Sequence, residues 1–257
     1  MPLHIDCLTT DRLLPNNCDI RIKLTKAFDG VLYLAETNNY KVSLSDLKMS
    51  IRRIELHPQL LQNHSTHFRS GKRAIYPFSK TDLKIHQIPT GSSLQRVSNI
   101  YRSRIPESAV VVFIESAALA GKSDKNAQNF QHFNVNSIKA IVGGEVTPPS
   151  GYRMDYDRND FYHVYRQLFD NTGVGLSNMS NGITPEMFAS NYNMYAWDFT
   201  PDVCVGVHNH VENKGSVEFE VQFKQPTTEV IAMCIFTHHD SYFEIDGERR
   251  VSVLKYD

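Results

Sequence analysis

The chain has 257 residues, 41% of them hydrophobic and 11% aromatic, which is enough for one or two domains with a sizeable core and too apolar for a disordered polymer. Lys+Arg 27 against Asp+Glu 28 gives a net charge of -1 with no basic or acidic tail, so nothing in the charge favours a phosphate backbone or an anionic membrane surface. No apolar run reaches bilayer length, and "MPLHIDCLTTDRLLP" is interrupted by Asp6, Asp11 and Arg12, so an intracellular chain without a signal peptide or membrane span is expected.

Most of the pattern along the chain has the two-residue period of strands. In "DIRIKLT", Ile20, Ile22 and Leu24 alternate with polar residues and predict a half-buried strand. In "DLKMSIRRIEL", Leu47, Met49 and Ile51 alternate before Arg52 and Arg53 shift the phase to Ile54 and Leu56, which predicts a strand with a bulge or an end of pairing. A helix is expected from Pro58, with Leu60, Leu61, His64 and Phe68 on one side. The continuous β-branched runs "AVVVFIE" (109–115) and "VIAMCIF" (230–236) predict strands covered on both faces. Residues 135–142 predict a strand that reverses at Gly143 and Gly144, after which Pro148 and Pro149 are expected to stop further pairing.

The main helix is expected at about 160–171, where Phe161, Val164, Tyr165, Leu168 and Phe169 form one stripe. Asn159 or Asp160 suits its cap and Gly173 its end. "TPEMF" (184–188) predicts one short turn of helix, and "SVEFEVQF" a strand with Val217, Phe219, Val221 and Phe223 inward. Antiparallel strands joined by loops with short helices, without βαβ alternation, repeats or a linker, indicate an all-β chain. The expected fold is a single antiparallel jelly-roll β-sandwich over residues 1–257.

Several stretches imitate chemical motifs. "SAALAGKS" (116–123) ends like a P-loop, but Ser116 stands where the first glycine belongs and "DKNAQNF" follows where a helix is required, so a polar loop is expected. "DYDRND" opens with the Asp155, Asp157, Asn159 spacing of a calcium loop, yet Asp160 replaces the turn glycine and Arg166 the bidentate glutamate. His208 and His210, with His238, His239 and Asp240, would meet at a metal only if their strands were neighbours; ordinary strand-end and loop histidines are expected instead. Cys7, Cys18, Cys204 and Cys234 form no CxxC pair and are expected to be buried reduced thiols. There is no GxSxG elbow and no local Cys/His signature. No residue is assigned as catalytic, cofactor-binding or metal-ligating, and no cofactor is expected. "NFQHFNVN" (129–136) reads as an architectural loop, its amides satisfying backbone groups while Phe130 and Phe133 anchor it.

Taken in order, "YKVSLSDLKMSIRRIELHPQLL", "AIYPFSKTDLKIHQIPTGS", "IPESAVVVFIESAALAGKSDKNAQNFQHFNVNSIKAIVGGEVTPP", "FYHVYRQLF" and "RVSVL" resemble the C-terminal half of the major capsid proteins of Polinton (Maverick) elements and their viral relatives in the hexon-like lineage. The resemblance covers nearly the whole chain. Its most telling pieces are Tyr76-Pro77 leading to Asp82, and the Asn129–Asn136 block followed by "GGEVTPP". It implies a virus-type jelly roll that builds an icosahedral shell and catalyses nothing. Proteins of this family resemble two fused jelly rolls, three copies of which form a capsomer, and this chain starts near the expected junction of the two. The expected partners are therefore other copies, as a trimer or higher assembly, or other capsid proteins, in a virion, with no direct nucleic-acid binding and no membrane. For the chain alone a monomer or weak trimer is expected, with segments 109–115 and 190–199 near the contacts. The alternatives are a domesticated jelly-roll module that binds a glycan or host protein, and a metal- or nucleotide-dependent hydrolase resting on the histidines and Lys122. Trp197, the only tryptophan, is too little for a sugar platform.

Overall fold

The computed structural model describes residues 5–8, 12–36, 40–177, 180–203, 210–211 and 213–253. Two short elements come first, α1 (Asp29–Leu32) and α2 (Pro58–Arg69), followed by β1 (Ala74–Ile88), β2 (Leu94–Tyr101), β3 (Ser108–Glu115), α3 (Ser116–Leu119), β4 (Val135–Val142) and β5 (Glu145–Arg153). Then come α4 (Tyr162–Asn171), α5 (Pro185–Ser190), β6 (Met194–Asp198), β7 (Val217–Phe223), β8 (Ile231–Ile245) and β9 (Val251–Val253).

One sheet has the order β1-β8-β3-β6 with β9 beside part of β8, and the other has the order β2-β7-β4-β5. β4 pairs with β5, β3 with β6, β2 with β7 and β1 with β8, so the eight main strands form one long antiparallel ribbon doubled back at the β4–β5 turn. The ribbon is rolled until β8 meets β3 and β7 meets β4, which is the jelly-roll topology. The expected all-β sandwich with short helices in its connections is therefore the observed fold.

The apolar pattern explains the layers. Val217, Phe219, Val221 and Phe223 of β7 are all buried, as their alternation predicts. In β3 and β8, Ala109, Val111, Phe113, Ile231, Met233 and Ile235 enter the core between the sheets. Val112, Ile114, Ala232 and Cys234 form a second cluster on the other face with Ala118 of α3, packed by Leu119 and Phe130. Both runs are covered on both faces, as their unbroken hydrophobicity predicts.

Gly143 (φ 59°) and Gly144 (φ 93°) form the tight β4–β5 reversal, a left-handed pair that side chains disfavour. Pro148 and Pro149 do not stop the pairing. β5 continues past them, the register shifting between Ala140↔Thr147 and Ile138↔Tyr152. An edge strand tolerates this because proline's missing N–H need not belong to a ladder there.

The helix starts at Pro58 as predicted, and α4 and α5 lie at their predicted positions, with Thr184 Oγ1 accepting from Met187 N–H to cap α5. Neither Asn159 nor Asp160 caps α4. Phe161 is its N-cap and makes no side-chain cap bond, while Asp155 accepts from Asp157 N–H and starts a separate 3-10 turn that ends at Asn159 (φ 55°). Gly173 (φ 74°) follows the end of α4 in the left-handed region.

The two early strand predictions fail. Residues 19–25 and 46–56 form no strand, and Ile20, Ile22, Leu24, Leu47, Met49, Ile51 and Ile54 are exposed. Alternation states which face a segment would bury against a sheet; here neither segment pairs with a described strand. Cys7 and Cys18 are only partly buried, so of the predicted buried thiols Cys234 alone is enclosed; Cys204 lies outside the described residues.

Two compact units emerge. One, Ala27–Tyr40 with Thr81–His239, holds the sandwich core. Within the other, Met1–Lys26 with Lys41–Lys80 and Asp240–Asp257, Tyr76 stacks on Phe243 at 4.8 Å and the Arg249 guanidinium lies 4.5 Å from the Phe68 ring centroid.

Candidate functional site

The segment from Asn129 to Asn136 is an architectural loop. Phe130 bridges to Tyr192, donating its N–H to Asn191 O and accepting from Asn193 N–H. Phe133 (φ 42°) and Asn134 (φ 54°) form a left-handed pair that turns the chain into β4. Phe130 packs on the outer cluster and Phe133 on the main core, so both rings anchor the loop as predicted.

The amides do less than predicted, since Asn129 Oδ1 is buried without a partner among the described residues. His132 takes that role. Its Nδ1 accepts from Asn134 N–H at 2.9 Å, which places the ring proton on Nε2, and its ring stacks on Tyr156 at 4.0 Å. Burial lowers the pKa of His132, partly offset by Asp157, so the stacked ring is neutral.

Beside this loop, the calcium-like spacing is occupied by a lysine. Lys224 Nζ lies 2.8 Å from Asp155 and 2.7 Å from Asp157, and the backbone N–H of Lys224 donates to Asn134 O. The hydrogen bond from Lys224 holds the Asp155 carboxyl below the usual range. The Lys224 ammonium thus joins the end of β7 to the turn that carries Asp155 and Asp157, the chain itself supplying the cation.

The P-loop-like stretch is a single helical turn followed by Gly121 (φ 86°), and Lys122 lies 3.1 Å from Asp124. Ser123 O accepts from Ala35 N–H, so this loop is tied to the segment that follows α1.

The histidines are dispersed. His208 lies outside the described residues, and His210 Nε2 contacts Asp202 at 2.7 Å. His238 and His239 are consecutive in β8 and so face opposite ways: His238 meets Thr81 at 3.2 Å, while His239 is buried beside Thr237 and Tyr101. No group of three or more His, Cys, Asp or Glu placed to hold a metal occurs among the described residues.

A polar network that sequence reasoning missed closes the β1–β2 end of the sandwich. Tyr101 Oη hydrogen-bonds Asp82 at 2.9 Å and Thr237 at 2.5 Å, and Lys84 Nζ sits 4.0 Å from the Tyr101 ring centroid while donating to Ile100 O. Burial raises the Tyr101 pKa far above its ordinary value. The signal was present in "TDLKIHQI", where Asp82, Lys84 and His86 alternate with Leu83 and Ile85; its inward face is the polar one.

Segments 109–115 and 190–199, expected near subunit contacts, contain core strands. Val111, Phe113, Tyr195 and Trp197 are at most 1% exposed, and Trp197 Nε1 donates to Thr147 O. No helix among the described residues is long and apolar enough to cross a membrane.

No protein-family model matches the sequence, and no curated protein matches it. Among solved structures, the chain is similar to one in the cryo-EM structure of the Sputnik virophage, with 14% identity, a TM-score of 0.46, and coverage of 71% of this chain and 39% of that one. It is similar to a chain of the PBCV-1 virus capsid (10% identity, TM-score 0.48, 79% and 55% coverage). The mavirus major capsid protein is similar at 10% identity, TM-score 0.37, and 71% and 41% coverage. The chain spans between 39% and 55% of the length of these structures.

Proposed function

We propose that the chain is a non-enzymatic capsid-type jelly-roll domain that works by packing against other subunits in the shell of a virion or Polinton-like element. The observation that carries this reading is the strand order, β1-β8-β3-β6 facing β2-β7-β4-β5, which fulfils the topology that the ordered sequence resemblance implies. The polar side chains that join separate elements fit it too. Lys224 clamps a loop, and Tyr101 joins β2 to β1 and β8; these are scaffold roles. In this reading three copies associate around a threefold axis, a heterologous contact that closes into a ring. Size exclusion coupled to light scattering, with electron microscopy of the same fractions, tests it. Threefold rings, alone or with other capsid proteins, are expected. A chain that never forms them and instead captures one host protein stoichiometrically would be a binding module.

A further inference from the structure

A sandwich has four free sheet edges, and natural proteins blunt such edges. Three are blunted here. Asn171 Nδ2 and Tyr152 Oη both donate to Ala196 O on β6, each at 2.8 Å; β5 carries Pro148 and Pro149; β2 is bulged at Asn99 (φ 55°), where its register on β7 shifts. β1, at 15 residues, is treated differently along its length. In its first part Pro77 has no N–H, Ser79 N–H donates to the Asp6 carboxylate, and Ile75 O accepts from Arg12. From Thr81 to Gln87 nothing comparable covers the edge among the described residues, and Pro89 follows the strand.

The direction of the unpaired groups follows from the neighbouring ladder. Val230 O and His238 O accept from Ser116 N–H and Glu107 N–H on the β3 side, so even-numbered residues along β8 face β3 and odd-numbered ones face β1. Thr81 Oγ1 reaches His238 Nδ1, so Thr81 stands opposite His238 and the odd-numbered β1 residues turn their N–H and C=O groups outward. Two of those residues carry uncovered apolar side chains: Leu83 is 46% and Ile85 48% exposed.

We propose that this stretch is a docking edge for a second copy of the chain, pairing antiparallel with itself about a twofold axis at Leu83. Charge selects the occupant and the register. Centring on Leu83 sets Asp82 of each copy opposite Lys84 of the other, twice. Centring on Asp82 opposes two carboxylates, centring on Lys84 opposes two ammonium ions, and centring on Ile85 sets Lys84 against His86; like charges directly opposite destabilise a strand pair. In the favoured register Thr81, Leu83 and Ile85 exchange backbone bonds with Ile85, Leu83 and Thr81 of the second copy. Leu83 and Ile85 of both copies then form one apolar row on the outer face. This contact does not depend on the capsid reading, because it is twofold and isologous whereas a capsomer ring is threefold.

Two variants test it on the full chain. Leu83→Pro removes an N–H that β8 does not use, at the same parity as Pro77, so the fold and its melting temperature are retained. Sedimentation velocity at up to about 100 µM is expected to show a concentration-dependent dimer for the parent chain and a monomer for Leu83→Pro. Leu83→Cys places the two sulfur-bearing residues at a hydrogen-bonded pair with Cα atoms about 5.5 Å apart, within disulfide reach, whereas Gln87→Cys sets them roughly 27 Å apart at about 3.4 Å per residue. Mild oxidation is therefore expected to cross-link Leu83→Cys several-fold more than Gln87→Cys or the parent. A parent chain that stays monomeric, a twofold dimer that survives in folded Leu83→Pro, or equal cross-linking at both cysteines overturns the proposal. If Leu83→Pro does not fold, the cysteine pair decides.

Discussion

Removing single side chains from opposite faces of β3 tests whether this strand is buried twice. Phe113 is 0% exposed, with its ring centroid 5.9 Å from that of Tyr195 and 6.2 Å from that of Phe223. Val112, the next residue, is 1% exposed and belongs to the other cluster, with Ile114, Ala232 and Cys234. Phe113→Ala loses a fully buried ring and leaves a cavity between two sheets, costing about 3–5 kcal/mol. Val112→Ala loses two methyl-sized groups at about 0.8 kcal/mol each plus a small cavity, so about 2 kcal/mol. Trp197, the only tryptophan, is 1% exposed and packs 5.0 Å from Phe219, so its fluorescence reports the same core without labelling. Urea unfolding followed at Trp197 should show both midpoints lowered at similar slope, Phe113→Ala by roughly twice as much. A Val112→Ala midpoint equal to that of the parent would mean that the outer face of β3 is open and the two-faced burial is wrong.

His132 is neutral in the fold because burial lowers its pKa, so the unfolded chain binds the extra proton. Its contribution is complete above the unfolded value of about 6.5 and is lost as pH falls below it. His132→Phe, which keeps the stack on Tyr156, should therefore narrow the difference in urea midpoint between pH 7.5 and pH 5.5. Asp155 is depressed by Lys224, so its contribution is present above about pH 3.9 and disappears as pH falls through the lower native value; Lys224→Met should move acid unfolding, read by circular dichroism, to higher pH. Tyr101→Phe removes the hydroxyl that Asp82 shares with Thr237, which keeps only its contact to His239, and should cost about 1–3 kcal/mol in the same urea assay. With a net charge of -1, DNA and RNA binding should be weak; submicromolar affinity at physiological salt, measured by fluorescence anisotropy, would contradict the charge argument.

What was legible in the sequence was whatever a local pattern determines. The alternation of β7 and the unbroken runs of β3 and β8 name their own burial, and Gly143-Gly144 names its own turn. Residues 19–25 carry as clean an alternation as β7, yet form no strand, because a strand needs a neighbour and periodicity does not supply one. β1 reversed the usual inference. Its polar face, Asp82, Lys84 and His86, looks inward because Tyr101 and Gln95 across the sandwich provide partners that no local window contains. The Lys224 clamp was hidden for the same reason, since Asp155 and Lys224 are far apart in sequence and meet only through the rolled ribbon.

The doubling-back of that ribbon also sets an order for folding. Val142 and Glu145 are almost adjacent, Val111 must find Tyr195, Val97 must find Phe219, and β1 must find β8 across most of the chain. Loop-closure entropy rises with loop length, so zipping outward from the Gly143-Gly144 turn meets its longest closure at the β3–β6 step, which spans residues 116–134 and 154–193, after which the β2–β7 and β1–β8 closures are shorter. β1 and β8 then pair last, and a refolding chain exposes the unpaired side of β8 until they do. Mutations that slow refolding should therefore concentrate around the β4–β5 turn, while those in β1 should mainly speed unfolding.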